Sequence, residues 1–71
     1  MTTSLTNEEK LNIVNQHIKS VEHSIYGHEL DLIQANAVSL PDSGQVSAIN
    51  ARITEANSVK AALVTEKNSL T

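Results

Sequence analysis

Three histidines, His17, His23 and His28, are the side chains most able to hold a metal in this 71-residue chain. A helix that binds metal places its ligands three or four residues apart, so that both reach one ion from one face. Here the intervals are six and five residues. His17 and His28 do share a face, but they sit about three turns apart and cannot reach a common ion. Asp31 follows His28 by three residues and could orient its ring. The carboxylates fare no better for acid–base work. Glu22 and Glu29 lie seven residues apart, about 10 Å along a helix, beyond the spacing at which two carboxylates flank one bond. Two glycines, Gly27 and Gly44, cannot build a phosphate-cradling loop, and cysteine is absent. A two-helix chain is also expected to offer no pocket. These readings predict a non-enzymatic protein with no metal, no cofactor and no small-molecule substrate.

The elements that position these side chains follow from the apolar spacing. Leu11, Val14, Ile18, Val21, Ile25, Leu32 and Ala35 recur at steps of three and four, with His28 in the one polar slot. In heptad letters, Leu11, Ile18, Ile25 and Leu32 are a, and Val14, Val21, His28 and Ala35 are d. Such a narrow seam must bury itself against another helix. Thr6 and Glu9 form the pattern of a capping box, with Glu8 and Glu9 at the positive end of the helix dipole. The first helix is therefore expected at about residues 7–37, after a frayed tail over 1–5. Pro41 and the Asp42-Ser43-Gly44-Gln45 run mark a break at about 38–42, where Val38 and Leu40 are expected to cover the bundle end. A second helix is expected at about 43–68. Its seam is Val46, Ile49, Ile53, Ala56, Lys60, Leu63, Lys67 and Leu70. Two lysines at a positions suggest that the seam shifts so that Val59 replaces Lys60; otherwise the lysine stem must snorkel past it. Arg52 and Glu55 are spaced to pair.

So short a connection predicts an antiparallel hairpin, all-α and coiled-coil-like, forming one domain over 6–71. Composition argues that the hairpin does not stand alone. The chain has no Phe or Trp and a single Tyr. A core without large aromatics, in a chain this small and lacking disulfides, supplies only about 3–5 kcal/mol. Self-association into a four-helix bundle, with a dimer favoured, would supply the rest.

A second stripe in the first helix, Tyr26, Leu30, Ile33 and Ala37, remains after the seams are paired. Together with Gly27 and His28 it forms the expected protein-interaction site. Gly27 has two readings: close approach of a neighbouring helix, or a tolerated weak point costing about 1 kcal/mol. A polar His28 at a d position could set register or oligomer state, and if buried could make assembly pH-sensitive.

Net charge is −3, without a basic cluster, which argues against nucleic acid and anionic membrane surfaces as partners. No apolar run approaches the ~18 residues of a membrane span, and Met1–Ser4 lacks the features of a signal peptide. A cytoplasmic location is the expectation. Asn, Gln, Ser and Thr number 24 against 13 charged residues. Outer faces of that kind can meet another protein with little charge desolvation.

Three runs carry a resemblance: Leu5 to Leu11, Ile13 to Ile18, and Glu29 to Val38, with the alanine-rich Ile49 to Leu63 fitting a second helix. They resemble small helical-hairpin proteins of tailed phages that infect marine cyanobacteria. The resemblance covers most of the chain and brings no activity, so it transfers no functional residue. It implies a phage-encoded protein in the bacterial cytoplasm or the virion. Two functions then compete: binding a host protein through a helical face, or serving as a structural or accessory component of the particle.

Overall fold

The computed structural model describes residues 4–71. It contains two helices, α1 (Asn7–Asn36) and α2 (Ser43–Ser69), packed against each other as an antiparallel hairpin of 54 × 18 × 16 Å. Both starts are chemically specified. The Thr6 hydroxyl accepts from the Glu9 N–H at 3.1 Å, and the Thr6 N–H donates to Glu9 Oε1 at 3.0 Å. This reciprocal box satisfies two N–H groups that the first turn would leave open. The Thr6 N–H, together with the Thr6 side chain, lowers the pKa of the Glu9 carboxyl below its usual value. Asp42 caps α2, its Oδ1 accepting from Gly44 and Gln45 N–H groups at 2.9 and 3.3 Å. Neither helix start therefore depends on tertiary packing for its first hydrogen bonds.

All sixteen seam positions are buried or half-buried. Outside the seams, only Lys10 and Val64 among the described helical residues are withdrawn from solvent to that degree. The heptad spacing thus sets which face of each helix turns inward. Burial stays shallow because each seam has only one covering helix. Val14 (7% exposed), Ala35 (9%) and Ile49 (3%) alone are buried among the described residues, and none is fully buried.

Three expectations need correction: the seam shift, the Arg52–Glu55 pair and the covering of the hairpin end. The seam of α2 does not shift: Lys60 keeps its a position half-buried, and Val59 is 48% exposed. The four-carbon stem covers the seam while Nζ reaches out to Glu22 Oε2 at 3.1 Å, so the charge stays wet and the heptad register is kept. This ion pair, not Arg52 with Glu55, is the one formed among the described residues. Leu40, 90% exposed, does not cover the hairpin end, and Val38, 55% exposed, only borders a groove near the loop. Residues 37–40 bend past the end of α1, and Pro41 disfavours helical geometry at Leu40, which leaves its side chain nothing to pack on. Leu5, assigned to the frayed tail, borders a groove beside Val14 and Leu70. The rest of that expected tail, residues 1–3, lies outside the described residues.

Candidate functional site

The outer stripe of α1 is placed by the same heptad that builds the core. Tyr26 and Ile33 are b positions; Leu30 and Ala37 fall at f. At 3.6 residues per turn the centre of this stripe lies about 150° around the helix from the a/d seam. It adds nothing to the inward face and points away from α2. Tyr26 is 62% exposed and Ile33 64% exposed, with Leu30 and Ala37 exposed between and beyond them. Towards the N-terminus the same face turns polar, through His23, Lys19 and Gln16. The apolar patch is therefore confined to the loop-proximal half.

The six site residues read from the sequence do not form one surface. Tyr26, Leu30, Ile33 and Ala37 share the outer stripe. His28 is half-buried in the seam, facing α2. Gly27 is a c position on the flank, and a Cβ built there meets nothing within 4 Å. No helix of this chain approaches Gly27 closely.

The flanks of the hairpin differ from each other. In an antiparallel pair, e positions line one side and g positions the other. The e side carries Asn15, Glu22, Glu29, Asn36, Asn50 and Asn57, with half-buried Val64 as its apolar residue. Asn36 and Asn57 donate back to the Leu32 and Ile53 carbonyls of their own helices at 3.1 and 3.0 Å, so their amides are already engaged. The g side holds two grooves that the sequence reading did not anticipate. One, of 370 Å³ near the loop, has Ala35, Ala48 and Ile49 along its floor and Asp31 and Arg52 on its walls. The other, of 330 Å³ near the chain ends, is lined by Leu5, Ile13, Val14, Leu63 and Leu70, with Lys10 and Glu66 on its walls. Every helical residue that lines either groove is c, d or g. The signal was present in the sequence: Lys10, Asp31, Arg52 and Glu66 are all g positions.

These grooves are open clefts along a helix pair. His17 borders the terminal groove, His23 is exposed on the outer face, and His28 lies in the seam. No three His, Asp or Glu side chains among the described residues converge on a point. No described helix is long and apolar enough to cross a membrane. A scan against protein-family models gives no match, and comparison with curated proteins and with solved structures gives none either.

Proposed function

We propose that this chain is a non-enzymatic protein-interaction module, phage-encoded and acting in the host cytoplasm, that docks a host protein on the outer stripe of α1. The observation that supports this reading is the exposure of Tyr26, Leu30 and Ile33 on the face opposite the seam. A helix held only by its seam has no folding reason to place Tyr, Leu and Ile there, because exposed apolar side chains add nothing to the packed interface. Tyr26 suits such a surface, since its ring buries a large area while its hydroxyl keeps a hydrogen-bonding group for the partner. The phage origin rests on the resemblance of the quoted runs alone. The competing role, as a component of the particle, uses the same stripe against a virion protein.

The test is retention of host proteins on the immobilised chain, with Ile33→Asp and Tyr26→Ser as controls. One host protein held by the wild type, and held about tenfold more weakly or worse by either variant, is the expected result. Both variants should keep the wild-type helical circular dichroism, because neither residue is in the seam. Recovery of the chain at fixed stoichiometry with purified particles, with no host protein retained, would favour the structural role instead.

A further inference from the structure

We propose that the g-side flank is a self-association surface, on which a second copy of this chain packs antiparallel to form a twofold four-helix bundle. The inference is independent of the outer stripe, which points away from this flank and stays open in such a dimer.

The argument begins with levels along the hairpin. Residues whose numbers sum to about 80–82 lie side by side: Glu22 bonds Lys60, Ala35 and Gln45 line one groove, and Lys10 and Leu70 line the other. Face-to-face packing about a twofold axis across the hairpin reverses direction but sets α1 against α1 and α2 against α2. An axis at the level of Val59 then makes two independent charge matches. On α1, Lys10 meets the partner's Asp31, and their midpoint falls between residues 20 and 21. On α2, Arg52 meets the partner's Glu66, and their midpoint is Val59. Those midpoints sum to about 80, so both pairs demand the same axis. Within one chain these four residues line the groove walls without forming an ion pair. The dimer would supply each with a partner of opposite sign.

Shape agrees with charge. The axis sets Val59, nearly half-exposed, against the partner's Val59. It sets Ile13, also exposed, opposite the partner's Gly27, where a Cβ would meet empty space. Ser20 and Ser24 keep the middle of the α1 flank low. The groove near the loop comes over the partner's groove near its chain ends. A flank about 54 Å long and 18 Å wide offers on the order of 900 Å² per copy, against the ~800 Å² per partner of a standard stable interface.

Analytical ultracentrifugation of the intact chain tests the proposal, and the expected species has twice the 7.7 kDa chain mass. Lys10→Glu should weaken the dimer about tenfold or more, since the twofold axis repeats the repulsion. Adding Asp31→Lys should restore wild-type association. A parallel dimer would instead set Lys10 near the partner's Glu66 and Asp31 near its Arg52, and there the double swap would weaken association further. Because the chain has no cysteine, Val59→Cys under mild oxidation should yield a disulfide-linked dimer in the antiparallel arrangement only. A wild-type monomer at about 100 µM, a range in which standard-sized interfaces hold, would overturn the proposal. So would a dimer that K10E leaves unchanged, or one that K10E/D31K fails to restore. Ile33→Asp separates this proposal from the docking function: it should abolish partner binding and leave the dimer intact.

Discussion

The loop end and the terminal end of the hairpin are built from the same heptad but not from the same chemistry. At the loop end the a and d positions of α2 are Val46, Ile49, Ile53 and Ala56, and Ile49 reaches 3% exposure beside Ala35. At the terminal end the corresponding positions are Lys60, Leu63, Lys67 and Leu70, all half-buried, as Val46, Ile53 and Ala56 are at the loop end, so the difference rests on Ile49 and on the two lysines. Val14 is the one buried residue there. A lysine at an a position keeps the register by lying along the seam, but its ammonium must reach water, so the layer cannot close. The difference teaches that periodicity and tightness are separate properties. Periodicity needs only a stem of adequate length at each seam position; tightness needs that position to be apolar to its tip.

The strongest way to break this comparison is at Ile49. Ile49→Ala should cost about 2–4 kcal/mol, and Val14→Ala about half as much, in urea unfolding followed by circular dichroism. Equal losses at the two sites would show that the ends are equally packed. The reverse experiment tightens the weaker end. Lys60→Leu exchanges a snorkelling stem for a side chain that can remain in the seam. It also releases Glu22 from an exposed pair worth at most about 1 kcal/mol, and net stabilisation of about 1 kcal/mol is expected. Amide exchange in residues 60–69 should slow more than in 46–56. If Lys60→Leu destabilises instead, the lysine is a specific seam element.

The smallest effects belong to the caps. Asp42→Ala should cost about 1 kcal/mol and should fray the loop-proximal start of α2. At the other end the Glu9 carboxyl has a lowered pKa in the fold because the Thr6 N–H hydrogen-bonds its charged form. The sign follows from linkage: the box contributes fully above the ordinary carboxylate pKa, and its contribution is lost as pH falls through the lowered value. Acid titration of amide exchange at Glu9 and Lys10 should show this loss, and Glu9→Gln should abolish the pH dependence.

Local chemistry made several elements legible in advance. The capping box at Thr6 and Glu9 and the cap at Asp42 require only their own neighbours, and both form as the sequence reads. The seam was legible for the same reason, since a repeat at three and four residues leaves one stripe that water disfavours. The outer stripe was legible as a set of residues but not as a direction; its b and f letters put it opposite the seam, where an apolar face cannot help the hairpin fold. At Lys60 the alternative of a snorkelling stem holds and the seam shift does not, because four carbons span the seam before the charge begins. The grooves were missed because they arise between helices, from which c and g side chains happen to stand at one level.

The sequence by itself determined the two helices, their starts and the faces they turn to each other, because each depends on hydrogen bonds and apolar spacing within one turn or two. Only the tertiary structure decided what the remaining faces are for. Antiparallel packing separates e from g, so one flank becomes a mostly polar surface on which Asn36 and Asn57 bond their own backbone. The other becomes two grooves walled by Lys10, Asp31, Arg52 and Glu66. The heptad letters tell e from g along each helix, but the grooves exist only once residues some twenty to sixty positions apart stand side by side.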